Sequence, residues 1–383
     1  MKLIYIANAR IPTEKAHGYQ ISKMCEEFSS AGAQVELWLP TRKNQIQEDL
    51  FQFYGLKSNF KVVKVEIFDF VSLKIIGRLG FWLQSLAFLW SLSLKKFDKD
   101  ALIYSRHPEI IWLFGIKGYK TVLEAHKWYG RKAWLAVYLV GRADKIVVLT
   151  KGLKNLFLKK RFLDSQIIVA PDSVDLKKFD LDLTKDESRS ELGLPLDKII
   201  LLYTGSFKTM GQEKGVANIL TALPGLIKDY DNLLFVAVGG NQSDIVYYRR
   251  LAQKQGVDSY IQLLPRVNLD KLARYQKAAD VLLMPFPMSE HYAFYMSPLK
   301  MFEYMASHRP VVASDLPAIR EVLHKNNAIL IKPDSPEELA NGISEIIRNK
   351  ALAQRIALNA YNDVQQYTWA KRAKKILTHL SSG

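Results

Sequence analysis

Short apolar segments alternate with amphipathic segments along most of the chain. In the first half, Lys2–Ala7 and Gln34–Leu39 have the length and composition of strands buried in a parallel sheet, and Tyr19–Ala31 between them has the apolar spacing of a helix. Five further strands are predicted in this half, at Phe60–Ile67, Ala101–Ser105, Thr121–Glu124, Lys145–Leu149 and Gln166–Ala170. Strands and helices that alternate in this way predict an α/β fold with a parallel sheet.

The alternation is interrupted once and then resumes. Residues 171–185 are mostly polar and are predicted to link two domains. Six strands are predicted after them, at Lys198–Thr204, Leu233–Val238, Ile261–Leu264, Val281–Met284, Pro310–Ala313 and Ala328–Ile331. The tail from Ser335 is predicted to be mostly helical. We therefore predict a first domain at 1–180, a second domain at 181–365 and a C-terminal helix at 366–383.

One stretch near the end of the second half combines a loop, a helix and a buried strand. It is Ser297–Asp315, SPLKMFEYMASHRPVVASD. Pro298 suits the first helical position, Ser297 is predicted to cap the helix, and Leu299 lies on its apolar face with Glu303 beside it. A helix N-terminus binds phosphate well, and a carboxylate further along can accept hydrogen bonds from sugar hydroxyls. The alternative is a capped core helix with a solvated Glu.

This stretch resembles the donor-binding segment of the family-4 retaining glycosyltransferases, in the SPLK-type branch. That family often has two Glu that bracket seven residues, and the second binds the ribose; Glu303 matches the second, and Tyr295 stands in place of the first. The resemblance implies the GT-B fold, with two Rossmann-like domains facing across a cleft and a C-terminal helix crossing back to the first domain. It also implies donor binding by Tyr295, Ser297, Pro298, Leu299, Lys300 and Glu303.

A glycine-containing loop in the second half is the next candidate for phosphate binding. The segment from Gly205 to residue 215, GSFKTMGQEKG, lies between a strand and a helix and can offer backbone N–H groups and a lysine. Lys214 matches the family's diphosphate-binding lysine and is predicted to stabilise the leaving group. Ser206 stands where the family often has Arg, and Lys208 is interpreted as replacing that charge. The alternative is a solvated surface loop.

Two further strand ends are candidates for the donor pocket. Gly239 ends a predicted strand, and Arg266 and Val267 follow the next one. In the family such a glycine lines the donor pocket, and the residues after the next strand read the base through backbone groups. The alternative for Gly239 is a turn that needs backbone freedom.

Polar residues at strand ends in the first half are candidates for the acceptor side. By resemblance, His126 matches the active-site histidine near the transferred sugar, with a hydrogen-bonding role rather than a nucleophilic one. Gly18 matches the loop that approaches the diphosphate, and His17 replaces the second glycine of that loop. Arg106 and His107 are predicted to line the acceptor site. A lone histidine is otherwise more often structural.

The charge of the chain is strongly positive and unevenly distributed. The 383 residues have a formal net charge of +16, and residues 1–190 hold 31 Lys/Arg and 20 Asp/Glu, a net charge of +11. A basic half predicts an anionic partner, such as acidic lipid or a phosphorylated acceptor, and no nucleic-acid-binding module is present. The alternative is a basic protein without such a partner.

Cysteine and histidine usage argues against disulfides and metal sites. Cys25 is the single cysteine, which excludes internal disulfides and fits a reducing compartment. The seven His are scattered without the i, i+4 pairing of a zinc site. We expect no metal and no cofactor, with a nucleotide-sugar as donor substrate.

The most apolar region is Phe68–Phe97, which is interrupted by charged and polar residues and is too short between them to span a bilayer. Lys95 and Lys96 follow its apolar core. It is predicted to be either an interfacial helix lying on anionic lipid or a core helix covering the first sheet.

The sequence as a whole predicts a metal-independent retaining glycosyltransferase that moves a sugar from a nucleotide-sugar to a glycan or lipid-linked acceptor. We expect a role in cell-envelope polysaccharide biosynthesis, a cytoplasmic location and peripheral attachment to the inner face of an anionic membrane. Two alternatives stay open: a non-catalytic GT-B protein that binds nucleotide or membrane as a partner subunit, and a nucleotide-sugar epimerase.

Overall fold

The computed structural model describes residues 1–72, 77–128, 130, 133–209 and 211–382. These residues form two compact units. The first unit consists of Met1–Pro171 together with the segment that begins at Trp369, and the second unit consists of Asp172–Thr368.

The first unit is built on a seven-stranded parallel sheet. Its strands are β1 (Lys2–Ile6), β2 (Gln34–Pro40), β3 (Lys61–Val65), β4 (Leu102–Ser105), β5 (Lys120–Ala125), β6 (Lys145–Val148) and β7 (Ile167–Val169), in the order β3-β2-β1-β4-β5-β6-β7. Its helices before the second unit are α1 (Ala16–Ser30), α2 (Leu50–Tyr54), α3 (Gly77–Ser93), α4 (Pro108–Ile116), α5 (Ala133–Val140) and α6 (Lys151–Lys159).

Helices cover both faces of this sheet, which is why its central strands are apolar without alternation. Phe88 of α3 and Phe114 of α4 pack on Ile4 and Ile103 on one face. On the other face, the Phe28 ring of α1 lies 5.5 Å from the Tyr104 ring.

The second unit is built on a six-stranded sheet with an added hairpin. Its strands are β8 (Ile199–Thr204), β9 (Lys208–Thr209), β10 (Gln212–Glu213), β11 (Leu233–Gly240), β12 (Ile261–Pro265), β13 (Val281–Met284), β14 (Val311–Ser314) and β15 (Ile329–Ile331). Strands β9 and β10 form the hairpin, and the parallel sheet has the order β12-β11-β8-β13-β14-β15.

Ten helices of the described residues belong to this unit. They are α7 (Leu176–Phe179), α8 (Lys185–Leu192), α9 (Val216–Asp229), α10 (Gln242–Lys254), α11 (Leu269–Ala278), α12 (Glu290–Phe294), α13 (Leu299–Ala306), α14 (Pro317–Arg320), α15 (Pro336–Arg348) and α16 (Lys350–Val364). The final helix, α17 (Trp369–Ser381), returns to the first unit, where the Trp369 ring lies edge-on to Tyr19 of α1 at 6.3 Å.

The thirteen predicted strands are confirmed to within two residues at each end. The chain passes from the first unit to the second after Pro171, at the start of the polar stretch 171–185, but the rest of that stretch belongs to the second unit. It contains α7, and Val174 and Phe179 are buried in the core of the second unit. The stretch was interpreted as a linker because its few apolar residues stand among many charged ones. Those few residues are the ones that pack.

Candidate functional site

Lys300 is the most unusual cation of the second unit. It lies in the first turn of α13 and is 9% exposed, and its Nζ is 3.5 Å from the centroid of the Tyr203 ring. Among the described residues no hydrogen-bond acceptor reaches this Nζ. Burial, and then the charge of Lys214, lower the pKa of Lys300 well below its ordinary value. A buried ammonium group in this state is a suitable partner for an anion.

Two more cations lie close to Lys300. Burial and then the charge of Arg266 lower the pKa of Lys214, so these groups are near enough to repel one another. The Arg266 guanidinium donates a hydrogen bond to Ser206 Oγ at 3.2 Å. The structure therefore brings together four of the residues predicted for the donor site: Lys214, Lys300, Ser206 and Arg266.

Glycines leave space beside the Lys300 ammonium. Gly205, which follows β8, has a φ of +107°, and a Cβ there would lie 3.4 Å from Lys300 Nζ. Gly239, near the end of β11, has a φ of +121°, and a Cβ there would lie 2.6 Å from the Gly205 carbonyl oxygen. The two strand ends approach so closely that a side chain at Gly239 cannot be accommodated without a backbone shift. Both glycines lie at the carboxyl edge of the sheet, where α/β folds bind ligands.

The start of α13 differs from the prediction in one respect. Pro298 is the residue before the helix, not its first residue, and the Ser297 hydroxyl does not cap it. Instead Ser297 Oγ accepts a hydrogen bond from the Asp172 N–H at 2.9 Å. The predicted cap is therefore wrong, because the hydroxyl serves a contact 125 residues away in sequence. Within the described part of the chain, the N-cap residue Pro298 makes no side-chain hydrogen bond to the first turn of α13, which leaves N–H groups of that turn open to a ligand.

The structure also corrects what was predicted for the N–H groups of the loop before α9. The backbone N–H groups of Lys214 and Gly215, which belong to the loop predicted to offer N–H groups to a phosphate, donate to Glu213 Oε1 at 3.2 and 3.1 Å. The Ala217 N–H, in the first turn of α9, donates to the same oxygen at 3.3 Å. Glu213 thus caps α9 and occupies these N–H groups, so the predicted role of Lys214 toward a phosphate rests on its side chain. The position of Glu213 just before α9 is a sequence signal that could have predicted this cap. Lys208 lies over the Tyr247 ring, with its Nζ 3.6 Å from the centroid.

Glu303 is buried on the same helix as Lys300. It is 8% exposed and accepts a hydrogen bond from Gln276 Nε2 at 3.2 Å. Burial raises the pKa of Glu303 to about 7, although the Gln276 hydrogen bond and the charge of Lys300 oppose this rise. The carboxylate is therefore poised between its two protonation states near neutral pH. Gln276 was not predicted, because it lies on α11 and no local pattern connects it with Glu303.

The remaining predicted donor residues take structural positions. The Tyr295 hydroxyl donates a hydrogen bond to the Glu290 carboxylate. Leu299 is half-buried, and Val267 packs against the core of the second unit.

A buried carboxylate organises the candidate residues of the first unit. Glu124 of β5 is fully buried, and its Oε1 accepts hydrogen bonds from Arg106 Nη2 at 3.3 Å and Arg372 Nη2 at 2.7 Å. The Tyr5 hydroxyl donates to its other oxygen at 3.1 Å. Burial alone would raise the pKa of Glu124, but the charges of Arg106 and Arg372, together with the hydrogen bond to His126, hold it well below the ordinary value. Glu124 is thus an anion at neutral pH.

His126 is oriented by this carboxylate. Its Nε2 lies 2.9 Å from Glu124 Oε1. Burial and the charge of Arg106 lower the pKa of His126 to about 4, so the imidazole is neutral at pH 7. Because an ionised carboxylate only accepts hydrogen bonds, the Nε2 atom carries the proton and Nδ1 is the acceptor. His126 is among the residues predicted from the sequence, whereas no role was predicted for Glu124 or Arg372. Arg372 lies 248 residues from Glu124 in the sequence, and no local pattern connects the two.

The predicted acceptor-side residues also gather in the first unit. Burial, and then the charges of Arg106 and Lys15, lower the pKa of His17 to about 4. His107 Nε2 accepts a hydrogen bond from the Asn8 N–H at 3.2 Å. These groups stand at the carboxyl ends of β1 and β4, as parallel strands require.

Gly18 has a packing reason for being glycine. It lies in the first turn of α1, not in a loop, and a Cβ there would come within 2.1 Å of the Tyr54 hydroxyl and 2.5 Å of Thr13 Cγ2. The tight contact with Tyr54 explains the residue without a ligand; its predicted role toward a diphosphate stays a prediction.

Lys300, Lys214, Ser206 and Arg266, which we call the Lys300 cluster, lie in a region that matches a known family model. Residues 198–349 match the model described as glycosyl transferases group 1. Curated relatives agree: an uncharacterized glycosyltransferase of Methanocaldococcus jannaschii is 27% identical over 217 residues, or 55% of this chain, and the putative teichuronic acid biosynthesis glycosyltransferase TuaC of Bacillus subtilis is 26% identical over 279 residues, or 72% of this chain. This chain spans 53% and 65% of the length of those two relatives.

Solved structures match the chain over its whole length. Sucrose-phosphate synthase from Thermosynechococcus elongatus gives a TM-score of 0.76 at 17% identity, covering 99% of this chain and 98% of that one. HepE of Anabaena in complex with UDP-glucose gives a TM-score of 0.71 at 17% identity, covering 100% of both. The chain has the GT-B fold. The predicted fold class is therefore confirmed, with two Rossmann-like units and a last helix that packs in the first.

Two further observations concern metals and membranes. Within the described ranges, no three His, Cys, Asp or Glu side chains are grouped as a metal site would require. None of the helices formed by those residues is both long enough and apolar enough to cross a bilayer.

Proposed function

We propose that this GT-B protein is a glycosyltransferase that uses a nucleotide-sugar donor and binds the donor diphosphate at the Lys300 cluster of the second unit. The observation that carries the proposal is the Lys300 ammonium, buried without a hydrogen-bond acceptor among the described residues and flanked by Lys214. A protein does not keep such a charge for stability, because an unpaired buried cation is costly. A diphosphate would supply the missing acceptor.

Glu303 supports a nucleotide rather than a simple anion. It lies one turn along α13 from Lys300, and its carboxylate is buried beside Gln276. Once ionised, it accepts hydrogen bonds from vicinal hydroxyls such as those of a ribose. HepE of Anabaena, which has the same fold, was solved in complex with UDP-glucose, and this supports the same donor class for this chain.

The reaction follows from the charge of the leaving group. Transfer of the sugar places negative charge on the departing diphosphate, and the cations at Lys300 and Lys214 would stabilise that charge more than the charge of the bound donor. These side chains offer a metal-independent means of stabilisation. We propose retention of anomeric configuration, which rests on the resemblance of Ser297–Asp315 to the retaining family.

His126 is proposed to contact the sugar or the acceptor. Its neutral imidazole presents Nδ1 as a hydrogen-bond acceptor while Nε2 is held by Glu124. We propose a glycan or lipid-linked acceptor in cell-envelope biosynthesis, which the description of TuaC as a teichuronic acid biosynthesis glycosyltransferase supports.

The test is donor turnover. The protein is incubated with UDP-, GDP- and ADP-sugars, with magnesium or with a chelator, and released nucleoside diphosphate and the anomer of the released or transferred sugar are followed by nuclear magnetic resonance. We expect slow release of nucleoside diphosphate from one of the donors in the presence of chelator, with the sugar keeping its anomeric configuration. Lys300→Met should not release the nucleoside diphosphate. Binding without release would favour the non-catalytic alternative, and a changed sugar that stays on the nucleotide would favour the epimerase.

A further inference from the structure

Helix α3 exposes an apolar side as well as burying one. Gln84, Phe88 and Leu92 recur every four residues and are buried. On the opposite side, Leu86 and Trp90 are 60% and 71% exposed. Packing in the core therefore accounts for one side of α3 and leaves the apolar side chains of the other side unexplained.

A second helix adds to the exposed apolar surface. On α5, Trp134 and Tyr138 are one turn apart and are 73% and 66% exposed. Helix α4 packs against both α3 and α5, so the three helices lie side by side on one face of the first sheet. We define the outer face as the exposed apolar side chains of α3 and α5, namely Leu79, Phe81, Trp82, Leu86, Trp90, Trp134, Leu135 and Tyr138. Large apolar residues gathered on adjacent helices mark an interaction surface.

Positive charge predominates around the outer face, although Asp98 and Asp100 follow Lys96 in the sequence; Asp98 pairs with Lys2 at 2.6 Å. Helices α3 and α5 contain no Asp or Glu. Glu109, the one acidic residue of α4, lies at its first turn, 3.5 Å from His107. Lys95 and Lys96 follow α3 and are exposed.

We propose that the outer face docks on the surface of an anionic lipid bilayer. The lysines favour acidic head groups, and indole and phenol rings favour the boundary between head groups and acyl chains. A second copy of the chain is less suitable, because a symmetric pair would bring the lysines of both copies together. The outer face lies on the bilayer rather than spanning it. The proposal does not depend on the transferase activity.

Vesicle sedimentation of the full chain tests this proposal. Vesicles of phosphatidylcholine with phosphatidylglycerol are compared with phosphatidylcholine alone, at low and high salt. We compare Leu86→Ser/Trp90→Ser, Trp134→Ser/Tyr138→Ser and Lys95→Glu/Lys96→Glu with Leu358→Ser, a control at an apolar side chain that is 56% exposed on the second unit. Circular dichroism and light scattering establish the folding and the oligomeric state of each variant.

The expected result is binding to the anionic vesicles that weakens in high salt and falls about tenfold or more in each of the three double variants, but not in the control. Equal binding by folded double variants and wild type would overturn the proposal. So would a wild-type dimer that the same substitutions convert to monomers, which would make the outer face a protein interface, or no binding to any vesicle.

Discussion

Arg372 Nη2 donates a hydrogen bond to Glu124 Oε1 at 2.7 Å, and this ion pair ties the last helix to the centre of the first sheet. Both side chains are buried, at 2% and 0% side-chain exposure. Arg372 also donates to the Pro171 carbonyl oxygen at 2.9 Å, where the first unit ends. The pair therefore anchors α17 at the point where the chain leaves the unit.

We predict that Arg372→Met destabilises the protein by about 3–5 kcal/mol, because it leaves a buried carboxylate with one cation fewer. The pKa of Glu124 lies below its unfolded value, so its contribution to stability is present above that value and is lost as pH falls through the folded pKa. The variant raises the folded pKa, and acid unfolding moves to higher pH. Urea and acid unfolding measure the stability of Arg372→Met and of the control Lys374→Met, which changes an exposed residue of α17. Equal stability of the two variants would refute the prediction.

We predict that Lys300→Met stabilises the free protein by about 1–4 kcal/mol, because it replaces a buried, poorly solvated cation by an apolar chain of similar length. The same variant is predicted to lose nucleotide binding, because it lacks the ammonium group. Between the lowered pKa of Lys300 in the folded protein and about 10.5, the unfolded state holds a proton on this side chain that the folded state has lost. The free energy of unfolding of the wild type should therefore rise with pH over this range. That rise should shrink in the variant. Urea unfolding over pH measures this, with exposed Lys271→Met as the control. A strongly destabilised Lys300→Met would contradict the interpretation.

Glu303 should make nucleotide affinity depend on pH. The pKa of Glu303 in the folded protein is about 7, above the ordinary 4.5, so between these pH values the native state holds a proton that the unfolded state has lost. The free energy of unfolding of the wild type should therefore fall as pH rises from 4.5 to 7, and this group contributes about 3 kcal/mol to that fall. Only the ionised form accepts two ribose hydrogen bonds, so affinity should increase through pH 7. Glu303→Gln should bind about tenfold more weakly and lose that increase. Calorimetric titrations at several pH values decide this; an unchanged profile in the variant would assign the titration to the nucleotide phosphate.

Gly239→Ala should destabilise the second unit by about 1–3 kcal/mol or more, because it combines a positive φ with a contact to the Gly205 carbonyl oxygen. Gly225→Ala is the matched control: Gly225 lies inside α9, where a Cβ would meet nothing within 4 Å, and the change should be neutral or stabilising by up to about 1 kcal/mol. Thermal unfolding compares the two. Equal effects would show that the close approach of β8 and β11 does not constrain residue 239.

His126→Ala should leave donor binding unchanged and reduce sugar transfer about 100-fold, because its proposed role is to position the sugar or the acceptor. The variant retains the donor residues of the second unit. Calorimetry with the nucleoside diphosphate and a transfer assay on the same preparation separate the two effects. Weaker nucleotide binding with unchanged turnover of bound donor would contradict the proposed role.

The elements of this structure were predictable where the signal was local. Buried strands and the Ser297–Asp315 stretch have apolar periodicity, so the sheets and the position of Lys300 and Glu303 on one short helix follow from the sequence. The errors lie where a polar group has more than one possible hydrogen-bond partner, either far away in the sequence or within the same loop. Ser297 bonds to Asp172 rather than to its own helix, and Glu213 takes the N–H groups expected for phosphate.

Long-range pairs account for what was missed. Arg372 reaches Glu124 only because α17 returns to the first unit, and Gln276 reaches Glu303 from another helix. No spacing in the sequence encodes these contacts. The exposed side of α5 is apolar, like a core helix, and composition alone does not distinguish the two.

The most direct test of the donor site is a calorimetric titration of the wild-type chain and Lys300→Met with UDP, GDP and ADP in the presence of a chelator. We predict that one nucleoside diphosphate binds the wild type without a divalent metal and that Lys300→Met, although folded and more stable, does not bind it. Equal binding by the variant, or no binding of any nucleotide by the wild type, would contradict the central claim that the buried Lys300 ammonium holds the donor diphosphate.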